Sequence, residues 1–166
     1  MSCPVARIRP VVVSAVVVDQ KKIILLVEDN PEHEALTLRA FEKNRFGSQI
    51  VVVRDGAEAL DWLHKRGAHQ SRSEPDPQIV LLDLDIPRVD GLEVLRQIRA
   101  DPRTALLPVV ILTTSKEQTD VLLGYELRAN SYIQKPVEFA RFVEVIREIG
   151  LYWLDLNETP PLPPSK

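Results

Sequence analysis

Glu28 and Asp29 follow the apolar run Ile23–Val27, Asp83 follows Ile79–Leu82, Thr113 follows Pro108–Leu112, and Lys135 follows Ser131–Gln134. Three carboxylates gathered at one place cannot all stay ionised comfortably without a cation between them. An all-oxygen cluster beside one lysine suits a hard divalent ion, Mg²⁺ first, held through carboxylates, a backbone carbonyl and waters. A hard cation, a carboxylate nucleophile and a lysine acting as a point charge make a phosphoryl-transfer site. Singly these residues mean little, because acids near helix N-termini simply favour the dipole. Their shared position at the ends of strand-like runs carries the inference.

The elements that must position them alternate in type. Ile23–Val27 has the continuous apolar character of a parallel strand buried on both faces. Asp29-Asn30-Pro31 supplies capping side chains and a proline at the first helical position, predicting a helix to about Asn44 with Ala35, Leu38 and Phe41 on one face. Ile50–Val53 reads as a second strand, and Asp55-Gly56 opens a helix that turns Leu60 and Leu63 inward. The polar stretch from Gly67 to Gln78 reads as a surface loop. Strand Ile79–Leu82 precedes a helix starting near Gly91 with Leu92, Leu95 and Ile98 at helical spacing. Strand Pro108–Leu112 precedes a helix containing Val121, Leu122 and Tyr125. A short strand at Ser131–Gln134 leads, after Pro136, to a helix expected to bury Phe139, Phe142, Val143 and Ile146. Five strand–helix alternations imply an α/β fold, a doubly wound five-stranded parallel sheet. Its functional crevice lies at the carboxyl ends of the strands, where the five polar residues fall.

Composition narrows the function classes. The 166 residues carry 21 Lys+Arg against 24 Asp+Glu, a net charge of −3, which argues against binding nucleic acid through phosphate contacts. Cys3 is the sole cysteine, so an intrachain disulfide and a thiolate zinc site are excluded, and a reducing, cytoplasmic location is expected. No apolar run is long enough to span a bilayer. Val11–Val18 after Arg7 and Arg9 has only a marginal likeness to a secretory signal, since Asp19-Gln20-Lys21-Lys22 is a poor cleavage context. His33, His64 and His69 lack paired ligand spacing and read as solvated surface groups. The six glycines are scattered, so no glycine-rich phosphate loop exists. The PxxP spacing in Pro160–Pro164 reads as an extended tail.

From about Lys22 to Ile149 the sequence resembles a response-regulator receiver domain of two-component signalling. The likeness rests on Leu26-Val27-Glu28-Asp29-Asn30, Leu82-Asp83-Leu84-Asp85-Ile86-Pro87-Arg88-Val89-Asp90-Gly91, Pro108–Thr114 and Ala129–Pro136 in that order. It implies the flavodoxin-like (βα)5 receiver fold, with Asp83 accepting a phosphoryl group from a sensor histidine kinase. It further implies Mg²⁺, or Mn²⁺ in its stead, on Asp29, Asp83 and the backbone carbonyl of Asp85, with Glu28 acting through water. Lys135 and Thr113 would contact the phosphoryl group. Thr113 and Tyr132 would form the switch, and Asp85 and Ser115 would tune dephosphorylation. The resemblance also implies a cis Lys135-Pro136 bond. Such a protein catalyses only its own phosphorylation and dephosphorylation. Glu28 departs from the more usual Asp while keeping the charge, and Asp85 is a less usual acid at its position.

Asp83-Leu84-Asp85 also resembles the DxD of haloacid-dehalogenase-like phosphatases. Order favours the receiver: Glu28-Asp29 precedes the nucleophile and no acidic strand end follows Lys135. The expected organisation is an N-terminal extension over 1–20, a receiver over 21–150, and an apolar then Pro-rich extension over 151–166. Sixteen residues after the last helix are too few for an independent output domain. The segment Ile149–Glu158, with the long polar loop, resembles the small response regulators that partner phytochromes. That implies a phytochrome-type kinase as partner. It also implies a homodimer through the fourth helix, fifth strand, fifth helix and C-terminal extension, with Val145, Tyr152, Trp153, Leu154 and Leu156 as candidate contacts.

Overall fold

The computed structural model describes residues 22–161. Five strands, β1 (Ile23–Val27), β2 (Gln49–Val53), β3 (Ile79–Leu82), β4 (Val109–Thr113) and β5 (Ser131–Gln134), alternate with α1 (Pro31–Asn44), α2 (Gly56–His64), α3 (Gly91–Ala100), α4 (Gln118–Glu126) and α5 (Phe139–Gly150). The sheet runs β2-β1-β3-β4-β5 with every pairing parallel. Strand order reverses beside β1, so the carboxyl ends of β1 and β3 flank the crevice.

Side-chain alternation divides the core into two layers. Leu25, Val27, Val80 and Leu82 face α2 and α3, with Leu60, Leu63, Leu95 and Ile98. Ile24, Leu26, Ile79 and Leu81 face α1 and α5, with Phe41, Phe142 and Ile146. Asn30 caps α1 through its side-chain oxygen, and Asp55 and Asp90 cap α2 and α3 likewise.

The buried face of α1 is Thr37, Ala40 and Phe41; Ala35 is exposed. Thr37 enters the core because its hydroxyl donates to the His33 carbonyl at 2.8 Å. Phe139, expected inside, is 46% exposed. Helical side chains lean toward the N-terminus, so at the first position of α5 it projects past the helix end. Gly124 is the one buried residue of α4; a Cβ there would meet Ile111 Cδ1 at 2.9 Å and the Tyr132 ring at 3.3 Å.

The loop after α2 is tied down by Arg72. Its guanidinium lies 3.9 Å from the centroid of Trp62. It donates to the carbonyls of Trp62, Glu74 and Pro75 and to Asp76 Oδ1 at 2.7 Å.

Beyond Gly150 the helix widens into a π-helical turn, Leu151–Leu156, closed by Asn157 N–H donating to the Tyr152 carbonyl at 2.7 Å. This turn folds onto its own domain. Lys22 Nζ donates to the Leu154 carbonyl, and Gln78 Nε2 to the Trp153 carbonyl at 3.3 Å. Two of the expected dimer contacts are corrected accordingly. Val145 and Leu154 (2% exposed) belong to the chain's own core, and Trp153 packs against it. Tyr152 and Leu156 (73%) face outward. The N-terminal extension, with Cys3 and Val11–Val18, and the end of the Pro-rich tail lie outside the described residues. Among the described residues no helix is long and apolar enough to cross a membrane.

Candidate functional site

At the end of β1, Glu28 continues the ladder by donating its N–H to the Val53 carbonyl at 3.0 Å. Its side chain turns inward, 1% exposed, and accepts from Asn30 N–H through Oε1 at 3.1 Å. Asp83, 5% exposed, is anchored by its N–H to the Val27 carbonyl at 3.1 Å, and its Oδ1 accepts from Asp85 N–H at 3.3 Å. The loop that follows closes tightly. A Cβ at Gly91 would lie 2.4 Å from the Asp83 carbonyl, so only glycine lets α3 begin against it.

Lys135 joins the two carboxylates. Its N–H donates to the Thr113 carbonyl at 2.7 Å, and its ammonium donates to Glu28 Oε2 and Asp83 Oδ2, each at 2.5 Å. Burial pushes the Glu28 carboxyl above its ordinary 4.5, and the Lys135 ammonium holds it back. One buried cation between two buried anions leaves a net negative charge facing the crevice.

Thr113 is fully buried, and its Oγ1 accepts from Ser115 N–H at 3.3 Å. Ser115 Oγ donates to Asp120 Oδ2 in the first turn of α4 at 2.6 Å. Tyr132 Oη donates to the Ser115 carbonyl at 3.5 Å, and burial raises its phenol pKa. These contacts connect β4, α4 and β5 beside the carboxylates. Outside them lies a cleft of about 520 Å³ whose walls include Asp29, His33, Asp83, Asp85 and Thr114. Asp29 and Asp85 are exposed there.

The structure thus gathers Glu28, Asp29, Asp83, Asp85, Thr113 and Lys135 at one sheet edge, with Ser115 and Tyr132 behind Thr113. Two histidines depart from the surface role expected of them. His33 Nδ1 lies 3.2 Å from Lys135 Nζ and 3.7 Å from Glu28 Oε1. Its position in the first turn after Glu28-Asp29 was the available clue, since that turn faces the crevice. His64 is largely buried, 3.7 Å from Asp101, and its Nε2 has no hydrogen-bond partner. Burial drives its pKa below 6.5. The Lys135-Pro136 bond is trans, as are all peptide bonds among the described residues. The small trans preference of an X-Pro amide is not overridden here, and Lys135 reaches both carboxylates from this backbone.

The response regulator receiver domain family matches residues 24–147. The probable methanogenesis regulatory protein FilR2 of Methanothrix harundinacea is 45% identical over 83% of this chain and 87% of its own length. Response regulator Rcp1 of Synechocystis sp. is 35% identical over 84% of this chain and 93% of its own. A structure of the Mn²⁺-bound form of response regulator Rcp1 superposes with a TM-score of 0.78 at 34% identity, covering 84% of this chain and 99% of that one. The phosphorylated cyanobacterial phytochrome response regulator RcpA superposes with a TM-score of 0.80 at 35% identity, covering 85% and 99%.

Proposed function

This chain belongs to the response-regulator receiver family, and from that membership we propose that Asp83 accepts a phosphoryl group from a sensor histidine kinase. The observation that carries the proposal is the Lys135 ammonium shared between buried Glu28 and Asp83, with Asp83 lining a cleft that Asp29 and Asp85 also line. An Asp83 oxygen forms the new bond to phosphorus as the donor's phosphorus–nitrogen bond breaks. Lys135 then pairs with the phosphoryl oxygens, because a point charge placed where negative charge accumulates favours transfer.

The donor set fits a divalent cation. Asp29, Asp83 and Asp85 offer oxygen alone to the cleft, the chemistry of a hard ion. Asp29, Asp83 and the Asp85 carbonyl would hold Mg²⁺, with Glu28 reached through water and Mn²⁺ able to replace it. The ion would supply charge neutralisation for the incoming phosphoryl group.

Phosphorylation adds about 1.5–2 negative charges. These draw Thr113 Oγ1 away from Ser115 N–H, and Tyr132 and the Ser115–Asp120 link carry the change to α4. Asp85 and Ser115 flank the path of hydrolytic water and tune the lifetime of the phosphoryl group. Catalysis extends only to the protein's own phosphorylation and dephosphorylation.

The likeness to the cyanobacterial phytochrome response regulator RcpA supports a phytochrome-type kinase as donor, and a cytoplasmic location goes with that reading. The receiver occupies 21–150 and the extension 151–166. A homodimer would use α4, β5, α5 and the turn beyond it, where Leu122, Leu123, Tyr125, Tyr152 and Leu156 are exposed. The test is labelling by acetyl phosphate or a candidate kinase, with and without Mg²⁺. Wild type should be labelled only with Mg²⁺ and Asp83→Ala not at all; labelling of Asp83→Ala at the wild-type rate overturns the assignment.

A further inference from the structure

Lys135 carries three N–H donors and no acceptor, and three side chains meet them. Glu28 Oε2 and Asp83 Oδ2 lie at 2.5 Å, and His33 Nδ1 at 3.2 Å. An ammonium can only donate, so His33 receives it on the lone pair of Nδ1 and keeps its own proton on Nε2. Of the three acceptors, His33 alone is uncharged when its ring is neutral. Glu28 is sealed inside, whereas His33 forms part of the cleft wall with its side chain 32% exposed.

We propose that His33 is a positioning residue for phosphoryl transfer: it holds the Lys135 ammonium toward the cleft, where the phosphoryl oxygens must be met. This rests on Asp83 being the phosphoacceptor and goes beyond it by assigning a role to α1. With carboxylates as its only acceptors, the ammonium settles between Glu28 and Asp83, and its third N–H is left without a side-chain partner. A third carboxylate would satisfy that N–H but add negative charge where a phosphoryl group has to approach. A neutral imidazole satisfies the donor without that repulsion. When Asp83 becomes bonded to phosphorus and its charge moves out onto the phosphoryl oxygens, Glu28 and His33 still hold the ammonium on two sides.

The experiment uses the full chain with acetyl phosphate and Mg²⁺, comparing wild type, His33→Leu and His33→Gln. Leucine fills the volume without an acceptor, and glutamine restores one through Oε1. Labelling of His33→Leu should be slower on the order of tenfold, the effect of one hydrogen bond to a charged group, and His33→Gln should return to within about twofold of wild type. Equal rates for wild type and His33→Leu, or no rescue by glutamine, overturn the proposal. A second readout needs no labelling: ¹⁵N spectra of the histidine rings at pH 8 should show His33 protonated at Nε2, and protonation at Nδ1 overturns the proposal. Failure of wild type itself to be labelled counts against the phosphoacceptor assignment, and the ring spectrum then decides the role of His33 on its own.

Discussion

Replacing Lys135 by methionine removes the cation that bridges Glu28 and Asp83 while keeping most of the side-chain volume. One oxygen of Glu28 and one of Asp83 lie within 4.8 Å of each other. At an effective dielectric of about 20, two unit charges at that distance repel by at least about 3 kcal/mol. Breaking a buried ion pair from one side costs about 3–5 kcal/mol, so both routes give the same size of effect. With a Tm shift of roughly 2–4 °C per kcal/mol for a chain of this length, Lys135→Met should melt about 10 °C lower at pH 8. The loss depends on pH. Glu28 already titrates above 4.5 because of burial, and Lys135 is what opposes the rise; without the ammonium it rises further. A carboxyl raised in the folded state gives its full stabilisation below its unfolded pKa and loses it as pH climbs through the folded value. The deficit of Lys135→Met is therefore largest at pH 8 and narrows toward pH 5. Adding Glu28→Gln and Asp83→Asn to Lys135→Met should recover most of the lost stability. Urea titrations of wild type, Lys135→Met and the triple variant at pH 8 and pH 5 provide the measurement. A deficit that is the same at both pH values, or one that survives neutralisation of both carboxylates, would refute the electrostatic account.

His64 behaves in the opposite sense. Its lowered pKa means stability is full above pH 6.5 and declines as pH falls through the folded value; thermal melts from pH 8 to pH 5.5 should show this slope reduced in His64→Leu. Gly91→Ala forces a Cβ to within 2.4 Å of the Asp83 carbonyl, so chemical denaturation should show a loss of about 1–3 kcal/mol together with slower labelling of Asp83. Leu154→Ala should cost about 2–5 kcal/mol, as for a buried leucine, whereas Leu156→Asp should leave monomer stability within about 0.5 kcal/mol and, if the outward face pairs, shift sedimentation toward monomer.

The strands were legible because a strand buried on both faces leaves little room for polar residues, and Ile23–Val27 and Ile79–Leu82 contain none. The helix starts were legible because Asn30, Asp55 and Asp90 each cap with a side chain. Strand ends therefore located Glu28, Asp83, Thr113 and Lys135 directly. Side chains whose place depends on tertiary packing were harder. A histidine in the first turn of a helix reads as solvated until the sheet edge beneath it is known, which hid His33. His64 was hidden in the same way, because helical periodicity ranks polar residues outward. Apolar residues beyond Gly150 signalled a buried face, but spacing calibrated on 3.6 residues per turn could not assign Leu154 to the chain's own core once the helix widened to a π turn. The role of Arg72 was equally invisible, since the carbonyls it binds are fixed only by the folded loop.

The shallow seating of α4 has a mechanical consequence. Most helices here are bolted to the sheet by several buried side chains; α4 rests on the bare backbone of Gly124, with Leu122, Leu123 and Tyr125 outward. Sliding it exposes little apolar surface that was not already wet, so its stiffness comes mainly from polar tethers such as Ser115 to Asp120. An element with few buried contacts lies at the low end of local stability. In this protein that compliant plate adjoins the strand ending in Thr113, so a small rearrangement at the carboxylates acts on the part of the surface that yields most easily.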